Sequence, residues 1–194
     1  MTGEEMILFI NACVRKQSRT LRLAKQLLNS FREEIKEVRL EDLEFPLTDE
    51  AFIVRREELK NSGYYNDPMF DLGRDFAKAD RIVIAAPYWD LSFPAMLKQY
   101  FEQINVLGLT FTYSESGTPR GLCRAKQLYY VTTAGGRILS DDYGFGYVKA
   151  LANTFYGIGE VHQIKAEGLD MESADAEEIL KETEKKMQSE IGCE

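Results

Sequence analysis

The chain has 194 residues, 44% of them apolar and 29% charged, with a formal net charge of −8. That length can bury one sizeable core and fits a single domain over 1–194. The acidic balance argues against a nucleic-acid surface, which would carry a basic patch, and no run approaches the roughly 18 apolar residues of a membrane helix.

The N-terminus, "MTGEEMILFIN", places acids ahead of its apolar run, the wrong flank for a secretory signal. "MILFIN" reads as a buried parallel strand. After the polar "ACVRKQSR", "TLRLAKQLLNSF" carries Leu21, Ala24, Leu27 and Leu28 at helical spacing. "EVRLED" reads as a second strand, and Pro46 breaks regular structure after it. Residues 49–61 form a charged helix, "NSGYYNDP" a turn-rich hinge, and "MFDLGRDFAKAD" an amphipathic helix leading into the strand "RIVIAAP".

"SFPAMLKQYFEQINV" is the next helix, with Ser92 as candidate N-cap and Pro94 near its first turn. "NVLGLTFTYSESGTPRGL" is too long for a plain connection. It reads as an insertion, a hairpin projecting from the fold. "QLYYVTTAGG" is strand and glycine loop, "YVKALANTFYGIG" a helix with a glycine stop, and "EVHQIKAEGLD" the fifth strand. An amphipathic helix follows from Glu172. Strands alternating with helices predict an α/β fold: a five-stranded parallel sheet with helices on both faces, plus the insertion after the helix that follows strand 3.

Ligands of such sheets bind beyond the carboxyl ends of the strands, where the strand order reverses. Three loops leave from those ends. In "NACVRKQSRT", the Ser18 and Thr20 hydroxyls accompany Arg15, Lys16 and Arg19 at a helix start, which suits a phosphate; a plain N-cap is the competing reading. "APYWDLSF" offers Tyr88 and Trp89 as an aromatic shelf. "TTAGGR" lets backbone approach a flat ligand at Gly135 and Gly136, although a glycine pair also makes ordinary turns. Together the three loops describe a pocket for a phosphorylated planar cofactor. No G-x-x-x-x-G-K-[ST] is present, and no G-x-G-x-x-G follows the first strand. Asn11 stands where a receiver domain needs acids.

"QSRT", "APYWDLSFPAMLKQYFEQINVLGLTFTY", "GLCRAKQLYYVTTAGG" and "AEGLD" resemble FMN-dependent NAD(P)H azoreductases and related flavodoxin-like quinone reductases, from the first strand to residue 170. The resemblance implies a flavodoxin-like fold. It places the FMN phosphate on Ser18, Arg19 and Thr20, and the ring and ribityl chain along Pro87, Tyr88, Trp89, Asp90 and Leu91. Thr133, Ala134, Gly135 and Gly136 would line the pyrimidine side. Asp90 stands where the family commonly has asparagine, and Ala134 follows Thr133 where a serine–arginine pair is frequent. An ionised aspartate can only accept hydrogen bonds, which bears on substrate range more than on cofactor identity.

The resemblance further implies hydride transfer from NADH or NADPH through FMN to quinones, azo compounds or similar small acceptors, in two alternating steps. It implies a homodimer with the flavin site at the interface, and no catalytic side chain or metal. A flavodoxin-like electron carrier is the alternative, but the T-x-T-G-x-T type of phosphate loop is missing. A ligand sensor that has kept the fold is a third reading, drawing on Asp90 and Ala134. Tyr64, Tyr65, Phe111 and Tyr143 are candidates for the acceptor pocket, each equally readable as core or dimer contact.

Cys13, Cys123 and Cys193 form no CxxC pair and no metal-like cluster with His162, as expected of a reduced, cytoplasmic protein without structural metal. Cys13 lies in the phosphate loop and reads as a small filler rather than a reactive thiol. His162 reads as a structural histidine, and Cys193 as an exposed, nearly terminal residue.

Overall fold

A computed structural model describes residues 5–191; Cys193 lies outside them. Strand β1 (Met6–Asn11) leads through the first loop into helix α1 (Arg19–Leu28), and β2 (Glu34–Arg39) follows. Next come α2 (Glu50–Asn61), α3 (Asp71–Lys78), β3 (Arg81–Ala85) and α4 (Ala95–Ile104). A hairpin of β4 (Phe111–Tyr113) and β5 (Pro119–Gly121) precedes β6 (Gln127–Thr133), α5 (Phe145–Leu151), β7 (Glu160–Ala166) and α6 (Ala176–Ile191). Five strands form one parallel sheet in the order β2-β1-β3-β6-β7. The chain starts in the middle, winds outward, then crosses back, so the order reverses between β1 and β3.

The central strands are apolar throughout because both faces are covered. Alternate residues of β1 point to opposite sides. Ile7 and Phe9 pack with Leu23 and Leu27 of α1 and Leu180 and Met187 of α6. Leu8 and Ile10 pack with Phe76 of α3, Leu97 and Phe101 of α4, and Val148 of α5. In α1 the stripe is Thr20, Leu23, Ala24, Leu27 and Leu28, with Leu21 only half-buried. The spacing predicted the helix, but its inward face is turned slightly from the one read.

Other boundaries moved for physical reasons. The second strand begins at Glu34, and residues 40–42 form a 3₁₀ turn instead of its end. β2 is an edge strand in which only Val38 is buried, so apolar patterning marks it weakly. Ser92 is not the N-cap of α4. Pro94 holds that position, while the Ser92 backbone pairs with Trp89 and its hydroxyl donates to the Tyr143 carbonyl. The hairpin expected in the insertion exists, yet it folds back instead of projecting. A Cβ on Gly121 would lie 2.1 Å from the Gly157 nitrogen, and only glycine lets β5 approach that closely. Gly157 itself, at φ 73°, ends a π-helical turn over Ala152–Tyr156. Among the described residues, no helix is long and apolar enough to cross a membrane, and no group of acids, His and Cys could hold a metal ion.

Candidate functional site

The sheet ladder continues past the ends of its strands and thereby builds a cleft. Ala12 N–H donates to the Ala85 carbonyl at 2.9 Å, and Ala86 N–H to Val131 at 3.0 Å. Tyr88 N–H reaches the Thr133 carbonyl at 3.0 Å, and Ala134 N–H the Ala166 carbonyl at 2.9 Å. Each loop therefore leaves its strand in a fixed direction. Between them lies an open cleft of about 340 Å³.

The first wall is the start of α1. The Ser18 hydroxyl caps the helix by accepting from Leu21 N–H at 3.2 Å. Arg19 and Thr20 then occupy the first two helical positions, whose amides have no acceptor within the helix. Asn11 anchors this loop: its side-chain oxygen accepts from Cys13 N–H at 3.0 Å, and its amide donates to Glu37. Thr20 turns inward, with its hydroxyl 2.6 Å from that of Thr133, a buried link between the first and third loops.

Pro87, Tyr88 and Trp89 form the second wall. Trp89 and Ser92 exchange both backbone hydrogen bonds, at 3.0 and 2.7 Å, closing a two-residue turn. Its central residues, Asp90 and Leu91, stand at φ 50° and 67°. Positive φ at both positions is the signature of a type I′ turn, which normally takes Asn, Asp or Gly. Aspartate shares asparagine's tolerance of this conformation, whereas Leu91 carries strain.

Thr133, Ala134 and Gly135 make the third wall. The loop after β7 runs along it: Leu169 N–H donates to Ala134 and Asp170 N–H to Gly135, at 3.2 and 2.8 Å. A Cβ on Gly135 would meet Asp170 Oδ2 at 2.4 Å, so this glycine makes room for a carboxylate. Asp170 Oδ1 in turn accepts from Arg19 Nη1 at 2.7 Å.

The three predicted loops thus converge. Asp90, Leu91 and Gly136 sit outside the lining, the first two at the turn's tip and the third with its carbonyl bonded to Gly168 N–H. Arg15, Gln17, Leu169 and Asp170 also line the cleft. Asp170 was the missed participant as a residue, although "AEGLD" marked its segment. The rule that sites lie at strand carboxyl ends applies to the last strand as well. Tyr143 approaches the aromatic turn through its carbonyl, but Tyr65 and Phe111 are elsewhere. Tyr65 bonds the Leu107 carbonyl, and Phe111 packs edge-on against Phe155. Cys13 is buried, and desolvation pushes its thiol up to about 11, as expected of a filler. His162 stacks on Tyr129 in the neighbouring strand, ring centroids 4.8 Å apart.

Chemically, the cleft joins a helix N-terminus and an arginine, suited to an anion, to a flat aromatic wall and a wall of small residues. A planar group carrying a phosphate fits that combination. The Arg19–Asp170 pair bridges the cleft near its anion end.

Comparison with known proteins agrees with this geometry. A family model described as a flavodoxin-like fold matches residues 5–191. An FMN-dependent NADH:quinone oxidoreductase of Clostridium beijerinckii is 35% identical over 157 residues, covering 80% of this chain and 73% of that protein. One from Coprothermobacter proteolyticus is 31% identical over 180 residues, covering 88% and 89%. The crystal structure of an azoreductase from Bacillus anthracis superposes with a TM-score of 0.85 at 22% identity, covering 98% and 100% of the two chains. An FMN-dependent NADH-azoreductase from the same species, in complex with FMN, gives 0.80 at 24% identity, covering 97% and 98%.

Proposed function

Because this chain belongs to the flavodoxin-like fold family, we propose that it is an FMN-dependent oxidoreductase that passes electrons from NADH or NADPH to quinones, azo compounds or similar acceptors. The observation that carries this is the convergence of the α1 start, the Pro87–Trp89 wall and the Thr133–Gly135 wall on one cleft. The relatives named as FMN-dependent NADH:quinone oxidoreductases support the same reading. FMN, when bound, would supply two-electron hydride chemistry between the nicotinamide and the acceptor.

The chain's own residues bind and orient. The Arg19 and Ser18 side chains and the free amides of α1, that of Thr20 among them, would hold the phosphate, with the helix dipole assisting. Pro87, Tyr88 and Trp89 would face the ring system and exclude water from one side. Asp90 and Leu91 shape the turn that sets Trp89, and Thr133 to Gly135 would follow the ring edge, with Asp170 holding Arg19 in place. The cleft's open side is where nicotinamide and acceptor would visit in alternation, a ping-pong order.

We also propose that the chain acts as one cytoplasmic flavodoxin-like unit and pairs as a homodimer that completes the cleft. Trp89, Leu91, Leu139, Tyr143 and Met171 are all substantially exposed on loops at the carboxyl end of the sheet, an apolar rim suited to a second copy. Reconstitution tests the cofactor assignment directly. The purified protein should take up one FMN per chain and turn yellow, while a protein that stays colourless in excess FMN would overturn it.

A further inference from the structure

Behind the aromatic wall lies a second, much smaller cavity of about 10 Å³, bordered by Tyr88, Tyr130, Thr132, Asp141, Phe145 and Gln163. Tyr88 borders both spaces and so stands between the cleft and this cavity. The hydroxyl oxygens of Tyr88, Tyr130 and Thr132 are buried, and none has a protein partner in full hydrogen-bond geometry among the described residues, although those of Tyr130 and Thr132 lie near enough to interact with each other. Tyr130 and Thr132 are each only 1% exposed. Gln163 and Asp141 are already bonded to each other, Nε2 to Oδ1, at 2.8 Å.

Buried hydroxyls are rarely left unpaired, because each one costs about 1–3 kcal/mol. Three together on one small cavity call for a common partner. About 10 Å³ is roughly the space of one water, and an internal water makes about three hydrogen bonds. The size and the donor set therefore agree. A phosphate or an organic group would not fit.

We propose that this inner cavity binds a single water molecule, held by the hydroxyls of Tyr88, Tyr130 and Thr132, and that this water makes Tyr88 a positioning residue of the cleft wall. The Tyr88 main chain is fixed by its bond to Thr133. A hydrogen bond at the far end of the side chain gives the ring a second attachment. Being buried, the Tyr88 hydroxyl is not available to a ligand in the cleft, so its effect on that ligand passes through the ring. The positioning role rests on the flavin reading of the cleft; the water site does not.

A crystal structure of the unmodified protein, solved with and without FMN at a resolution that shows ordered water, tests the site. One density peak within hydrogen-bond distance of all three hydroxyls is expected in both. An empty or side-chain-filled cavity, or hydroxyls bonded directly to one another, overturns the water site. The FMN-loaded variants Tyr88→Phe and Tyr130→Phe test the consequence. Both should alter the visible circular dichroism of bound FMN in the same way and weaken FMN binding by about threefold. The double variant should be little worse than either, since both act through one water. Unchanged dichroism and affinity in Tyr130→Phe would overturn the positioning role. If FMN did not bind at all, the proposed function would fail, while density in the cofactor-free crystal would still decide the water site.

Discussion

Arg19 donates from Nη1 to Asp170 Oδ1 across 2.7 Å, joining the first and last loops of the cleft by a charge pair. Both side chains are substantially exposed, so the pair itself contributes only about 0–1 kcal/mol to folding. Its importance lies in placing a guanidinium beside the α1 amides. Arg19→Ala should weaken FMN about tenfold, the lower end for a charge-assisted hydrogen bond. Riboflavin, which lacks the phosphate, should bind the variant and the parent equally. Fluorescence titration with the two ligands checks this, and an equal loss for both would place Arg19 against the ring instead.

Two glycine substitutions should differ sharply. At Gly135 a new Cβ meets the tip of the exposed Asp170 side chain, which can rotate away. Gly135→Ala should therefore cost less than about 1 kcal/mol of stability while disturbing the Arg19 pair and FMN affinity. At Gly121 the Cβ meets backbone atoms of Tyr156 and Gly157 at 2.1 Å, which cannot move independently. Gly121→Ala should cost about 1–3 kcal/mol through overpacking. Urea unfolding of both variants makes the comparison.

The aromatic turn stores strain at Leu91, whose φ is 67°. The left-handed conformation costs an ordinary L-residue roughly 1–2 kcal/mol, and glycine returns about 0.4–1 kcal/mol of that through the unfolded chain. Leu91 is about half-exposed, so the burial it loses offsets part of that gain and leaves a small net effect. Leu91→Gly should raise Tm by about 1–4 °C, whereas Asp90→Asn should leave it almost unchanged. A Tm lowered by Leu91→Gly would show that the leucine side chain is held by contacts, such as those of a dimer.

Burial holds Cys13 up to about 11 and Cys123 up to about 12, against an ordinary 9.0. Above pH 9 the unfolded chain has released these protons and the folded chain still keeps them. Stability must therefore fall as pH rises from 9 towards 11–12, by up to about 1.4 kcal/mol per pH unit for each thiol. Urea midpoints across that range should fall, and the slope should be shallower in a Cys13→Ala/Cys123→Ala variant. At neutral pH neither thiol should react with iodoacetamide in the folded protein, as peptide mapping would show.

The sequence made the sheet legible because both faces of β1, β3 and β6 are covered, so that "MILFI", "RIVIA" and "QLYYV" read as apolar runs. It placed the edge strand β2 less well, since a single buried side chain leaves little pattern. The three loops of the cleft were legible from their hydroxyls, aromatics and glycines. The Arg19–Asp170 pair was not, because it spans 151 positions and no local spacing encodes it. Ser92 was misread for a related reason. Its pairing with Trp89 depends on two non-glycine residues at positive φ, which composition disfavours and only the assembled loop reveals.

Anaerobic addition of NADH to the FMN-loaded protein, followed by a quinone, tests the proposed electron transfer. NADH alone, with NADPH as the parallel trial, should bleach the visible flavin absorption without any partner protein. One equivalent of quinone should then restore it. A flavin that stays yellow with either nicotinamide and bleaches only when a separate reductase is supplied would rule out direct oxidation of the nicotinamide, and would make the protein an electron carrier instead of an enzyme.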